Sequence, residues 1–138
     1  MKVLALDYGR ARTGVAVSDA TGMLARPLAI VRRAGEGTGL AELCAIIERE
    51  QPALVLVGLP LTLRGERGPQ ADETEAFVRR LRKRCRAPIH MEDERFTTRI
   101  AQRRSSTGRT STADDAEAAA VLLQGYLDRS RSTGDAEG

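Results

Sequence analysis

The feature that most constrains this chain is the uninterrupted apolar run Leu54-Val55-Leu56-Val57, which follows an amphipathic stretch closed by Pro52. Leu40, Leu43, Cys44 and Ile47 recur at helical spacing, so that stretch reads as a helix and Ala53 to Val57 as the strand after it. A strand apolar at every position is covered on both faces, and a strand, helix, strand crossover joins parallel strands. The chain is therefore expected to be α/β. Its 138 residues leave room for one such domain and not two.

The flanking sequence supplies the other elements. Lys2 to Leu6 reads as a buried strand stopping at Asp7, and Gly9 and Gly14 bracket a tight connection into a second strand, Val15 to Ser18. A third strand spans Leu24 to Val31; Pro27 puts it at a sheet edge, because proline cannot donate to a central ladder. Gly35, Gly37 and Gly39 are expected to end it. Ala71, Thr74, Phe77, Val78, Leu81 and Cys85 mark a second amphipathic helix whose outer face carries Arg79, Arg80, Arg82, Lys83, Arg84 and Arg86. Pro88 to Met91 forms a short strand running into Glu92-Asp93-Glu94. A helix is expected from about Thr98 to Arg104, a mobile low-complexity stretch over Ser105 to Thr112, and an alanine-rich helix from Asp114 to Tyr126. Asp128 to Gly138 lacks periodicity and reads as a disordered tail, leaving a single domain over 1–127.

Composition removes several function classes. No apolar run approaches the roughly 18 residues of a membrane span, so a cytoplasmic protein with no membrane partner is expected. Cys44 and Cys85 both follow apolar helical patterns and are read as core thiols in a reduced compartment. Charge nearly balances, 22 basic against 19 acidic residues, but all the basic residues except Lys2 and Lys83 are arginine, whose planar fork suits phosphate. Aromatics are only 3%, against single-strand binding by base stacking. His90 is the sole histidine and is read as a packed or surface residue, so a hydrolytic triad has little support.

Three acidic positions stand where solvation does not require them: Asp7 at a strand end, Glu94 with Asp93 after the last short strand, and Asp115 with Asp114 on the first turn of the final helix. Carboxyl ends of parallel strands gather at one rim, where open α/β sheets place ligands. Carboxylates meeting there repel, and a cation relieves the repulsion; oxygen-only ligands suit magnesium or manganese. A pair of such ions is a known device for phosphodiester hydrolysis.

Four motifs in order carry a resemblance: Asp7-Tyr8-Gly9-Arg10-Ala11-Arg12-Thr13-Gly14 continuing to Asp19, then Val57-Gly58-Leu59-Pro60 with Gly65, then Asp93-Glu94-Arg95-Phe96-Thr97-Thr98, and Asp115 through Ala119 to Leu123 and Tyr126. Together, from Met1 to about Leu127, they resemble the YqgF family, also called RuvX. The resemblance implies an RNase H-like fold, a mixed five-stranded sheet flanked by helices on both faces. It also implies a divalent-metal nuclease, with Mg2+ or Mn2+ and two ions expected, that processes the 5′ end of precursor 16S rRNA. The family's acidic positions fall on Asp7, Glu94 and Asp115, as catalytic residues and metal ligands. Its motif arginines fall on Arg12 and Arg95, assigned to phosphate contact or to ordering the acidic rim, and Arg10 joins them as a nucleic-acid contact. Ala11 stands where relatives often carry a basic residue. The segment before Asp115 is shorter than in many relatives, leaving Arg103, Arg104 and Arg109 to take the place of their lysines.

Expected partners are structured RNA, precursor 16S rRNA foremost, or branched DNA, with ribosomal particles and with the chain a monomer or weak homodimer. The alternatives are a Holliday junction resolvase and a non-catalytic binding module using the arginine face from Arg79 to Arg86. Asp7-x-Gly also looks like the first phosphate loop of actin-like ATPases, but those enclose their nucleotide between two domains.

Overall fold

The computed structural model describes residues 1–62, 64–93 and 112–137, with the side chains of the last segment described over 115–131. Five strands form one mixed sheet: β1 (Val3–Asp7), β2 (Arg12–Ser18), β3 (Ala25–Arg32), β4 (Leu54–Leu59) and β5 (Ile89–Asp93). Their spatial order is β3-β2-β1-β4-β5. The β1–β2–β3 meander is antiparallel. β4 lies parallel to β1, and β5 parallel to β4. Helices α1 (Gly37–Glu50) and α2 (Pro69–Arg82) make the two crossovers, and α3 (Thr112–Glu137) follows. β3, with Pro27, is an edge strand as its proline requires.

Strand alternation divides the core in two. Leu4, Leu6, Val15, Val31, Val55 and Val57 pack against Leu40, Leu43, Ile46 and Ile47 of α1 and Phe77, Val78 and Leu81 of α2. The alternate residues Val3, Ala5, Ala16 and Leu56 meet Ala119, Leu122, Leu123 and Leu127 of α3. β4, apolar at each position, lies between both layers.

Several boundaries differ from expectation. β2 begins at Arg12 rather than Val15, because Arg12 and Thr13 already pair with Arg32 and Val31. Gly37 and Gly39 open α1 instead of ending β3; a Cβ on Gly39 would lie 2.0 Å from the Arg33 carbonyl oxygen, so the helix starts tight against the preceding turn. The expected tail from Asp128 is corrected: α3 continues to Glu137. Buried Leu127 anchors this extension, and Asp128 accepts a bond from Gln124 and pairs with Arg131, the spacing that supports a helix surface. The helix expected over Thr98 to Arg104 and most of the low-complexity stretch lie outside the described residues, while Thr112 belongs to α3. No helix among the described residues is long and apolar enough to cross a membrane.

Asp19, which ends the first motif, organises the β2–β3 turn. Its carboxylate accepts bonds from the Met23 and Leu24 amides and the Thr21 hydroxyl, and these bonds, Met23 first, hold its pKa below the usual carboxylate value.

Cys44 and Cys85 are half-buried against the core rather than inside it, a correction to the reading as core thiols. Their sulfurs are 3.8 Å apart, with the Cys85 thiol donating to Cys44 Sγ. Burial, then the neighbouring Cys44, push the Cys85 thiol up to about 12. Because the thiolate is the nucleophile, iodoacetamide at pH 8 is expected to label Cys85 at least about 100-fold more slowly in the folded protein than in urea. Peptide mapping over a time course checks this, and equal rates would refute the protected-thiol assignment.

Candidate active site

β1 delivers Asp7 to the rim formed by the carboxyl ends of β1, β4 and β5. Asp7 is partly buried and has the parity of Val3 and Ala5, so its side chain leaves the sheet on the α3 face. Across the antiparallel ladder its register partner is Gly14, and directly opposed residues share a face with Cα atoms about 4.5–5.5 Å apart. A Cβ on Gly14 would lie 1.9 Å from the Asp115 carbonyl oxygen and 2.4 Å from its carbon, so the first turn of α3 rests on the bare backbone of β2. Asp7 and Asp115, separated by 108 positions in the chain, thereby meet at one rim across a glycine.

Asp115 is only partly exposed, and its Oδ2 is buried without a hydrogen-bond partner. Arg12, on the same face of β2, brings Nε to 3.3 Å from that oxygen. The contact is one of charge, since the guanidinium N–H is not aligned to donate. Of the two hairpin arginines, only Arg12 serves the acidic rim. Arg10 is exposed and turns to the opposite side, where it pairs with Glu73 of α2.

Among the described residues no three acidic, histidine or cysteine side chains converge as a metal site. Of the three expected metal ligands, Asp7 and Asp115 are among the described residues, and both lie at the α3 face of the sheet. Glu94, Arg95, Arg103, Arg104 and Arg109 lie outside the described residues, as does the side chain of Asp114.

Position reasoning missed Glu92. It sits on the α3 face of β5 opposite Gly58, with its side chain 16% exposed, and it pairs with Arg129 at 3.1 Å and His90 at 3.4 Å. His90 is a surface residue, as expected, with its ring tilted against Tyr126. The alternation His90, Glu92 was available in the sequence; the Arg129 partner, 37 residues on, was not.

The profile of the RuvX family, described as Holliday junction resolvase, matches residues 1–129. The chain belongs to the RuvX family. It is 40% identical over 135 residues to a Roseiflexus sp. (strain RS-1) protein named "Putative pre-16S rRNA nuclease", covering 94% of this chain and 96% of that one. A Dehalococcoides mccartyi protein of the same name is 42% identical over 118 residues, covering 83% of this chain and 89% of the relative. The fold is similar to T. thermophilus RuvC, solved in complex with a Holliday junction substrate, with a TM-score of 0.59 at 18% identity over 94% of this chain and 96% of that one. The fold is RNase H-like, as the motif resemblance implied.

The Gly14 contact is with backbone, which cannot rotate away. Gly14→Ala is therefore expected to push α3 off the hairpin, destabilising the fold by about 1–3 kcal/mol, as overpacking does. Thermal denaturation beside the wild type checks this, and an unchanged melting temperature would disprove the contact.

Proposed function

We propose that this chain is a divalent-metal-dependent nuclease that hydrolyses phosphodiester bonds and processes the 5′ end of precursor 16S rRNA. The observation that carries the reading is the meeting of Asp7 and Asp115 across Gly14, in a chain whose relatives bear the pre-16S rRNA nuclease name. Asp7, Glu94 and Asp115 are the residues that would hold Mg2+ or Mn2+. The donor set fits a hard cation, being carboxylate oxygen throughout, and the buried Asp115 Oδ2 that lacks a hydrogen-bond donor fits one too. Two such ions, held by these residues, would supply a lowered pKa for the attacking water and stabilisation of the leaving oxygen.

The chain's own groups do the rest. Gly14 fixes the separation of the two strand-borne and helix-borne carboxylates, because any side chain there would displace Asp115. Arg12 stands beside Asp115 and offsets its charge, ordering the rim. Arg95, Arg103, Arg104 and Arg109 are assigned to the phosphates of the substrate. The substrate is structured RNA, met on ribosomal particles in the cytoplasm, and the protein acts as a monomer or weak homodimer. The family description favours one other substrate, a four-way DNA junction.

End-labelled precursor 16S leader RNA and a four-way DNA junction, each with magnesium and with manganese, test the proposal. The expected result is metal-dependent cutting of the RNA, with Asp7→Asn folded but reduced by at least the roughly 100-fold that outer-shell changes alone reach at metal sites. Symmetric cutting of the junction alone would replace this reading by a resolvase. An Asp7→Asn protein as active as the wild type would overturn the carboxylate mechanism.

A further inference from the structure

The same rim carries a second recess, on the side of the sheet away from α3. It is a cavity of about 440 Å3 lined by Tyr8, Arg10, Ala11, Arg33, Glu36 and Arg80, with Gly35 in its wall. That volume lies in the range of small-ligand sites. Three arginines and one glutamate line it; with Arg10 paired to Glu73 outside the lining, Arg33 and Arg80 still outnumber Glu36, and the arginines come from different elements: Arg10 from the hairpin loop, Arg33 from the turn after β3, and Arg80 from α2.

Two of these arginines are anchored, Arg80 by its side chain and Arg33 by its backbone, while the Arg33 side chain is exposed. Tyr8 stacks on Phe77 with ring centroids 4.3 Å apart, fixing the cavity's inner wall. Arg80 Nε donates to the Gly35 carbonyl at 2.8 Å, which orients its guanidinium along the rim. A Cβ on Gly35 would lie 3.0 Å from the Tyr8 hydroxyl and 3.3 Å from Arg80 Nη2, so both groups close on bare backbone. Arg33 sits in the left-handed region at φ 49°, unfavourable for a side-chain-bearing residue, and its amide is tied to the Ala11 carbonyl at 3.0 Å. Arg33 forms no ion pair with any described residue, while Arg10 is paired with Glu73. Backbone strain, a cradle of glycine and an uncompensated guanidinium coincide in one recess.

We infer that this recess is a phosphate-binding subsite that grips the RNA strand beside the bond placed at the Asp7–Asp115 rim, an inference that rests on the nuclease reading above. Tyr8 follows Asp7 directly in the chain, so the recess and the rim flank a single strand end, one on each face of the sheet. Arginine forks donate two parallel bonds to phosphate oxygens, and Arg33 and Arg80 bring such forks to the recess from two different elements.

Fluorescence anisotropy of a labelled single-stranded RNA over a salt series, without divalent metal, reads the subsite apart from cleavage. Arg33→Gln removes no described contact and is expected to keep the wild-type melting temperature. It should weaken binding and lower the slope of log K against log salt by about 0.7, the value of one lost phosphate contact on a single strand. The Arg33→Gln, Arg80→Gln double variant should lower it by about 1.4. Arg49→Gln, on α1 and outside the recess, is the control expected to bind as the wild type does. RNA with a 5′-monophosphate beside RNA with a 5′-hydroxyl separates the two sources of phosphate. Equal loss on both RNAs assigns an internal phosphodiester, whereas a loss confined to the phosphorylated RNA assigns a chain terminus. If the wild type binds and Arg33→Gln binds with unchanged affinity and slope, the subsite is wrong and the nuclease reading stands. If the wild type binds no RNA, the subsite is wrong, and the metal-dependent cleavage assay decides the nuclease reading separately.

Discussion

The first turn of α3 lies against the β1–β2 hairpin at a separation only glycine permits. With any other residue at position 14 a Cβ would be 1.9 Å from a carbonyl oxygen of that turn. This contact sets the height of α3 above the sheet at one end; Ala116 and Ala119, small and buried, continue the close approach along the helix. Leu122, Leu123 and Leu127 then fill the widening gap over Val3, Ala5, Ala16 and Leu56. The helix is thus pinned at the rim and packed beyond it, an arrangement in which Asp115 takes its position from backbone contact rather than from flexible side chains.

The same pinning explains the electrostatics of the rim. Carboxylates brought together by packing raise one another's cost of ionisation unless a positive group stands near. Arg12 is that group in the polypeptide itself, and its misaligned contact leaves Asp115 Oδ2 without a hydrogen bond in a buried position. A buried carboxylate oxygen in that condition is expensive on its own and suited to an inner-sphere cation. On β5, by contrast, the Arg129 guanidinium of α3 meets the charge of Glu92, with the His90 ring beside it.

Much of this was legible in the sequence because it rests on local rules. The apolar run of β4, the proline of β3 and the alanine-rich α3 each follow from periodicity or from a missing donor, and all five strands overlap the stretches those rules selected, though β2 starts at Arg12 and β5 runs on to Asp93. Asp7 and Asp115 could be chosen because each stands at an element end, where a carboxylate adds nothing to the core. Helix starts were harder: Gly37 and Gly39 look like strand breakers, yet they open α1, since the tight turn at Arg33 leaves no space for a side chain at residue 39. The end of α3 was misjudged for a related reason, because a polar surface helix extended from a buried anchor has no apolar stripe to announce it. Arg10 and Arg12 are two residues apart and equivalent to any reading of composition; which face each serves is decided by the tertiary placement of α2 and α3.

That division of the hairpin has a chemical consequence. Successive residues of a strand leave the sheet on opposite faces, so Asp7 joins the α3 side while Tyr8 joins the α1 and α2 side. The sheet therefore stands between the carboxylates and the guanidinium groups of Arg33 and Arg80. Were those arginines on the acidic face, they would neutralise the carboxylates directly and remove the field that attracts a cation. Held behind the sheet, they can meet phosphate without collapsing onto Asp7 or Asp115. Strand alternation at the end of β1 thus separates the proposed cation-binding carboxylates from the proposed phosphate recess within two consecutive residues.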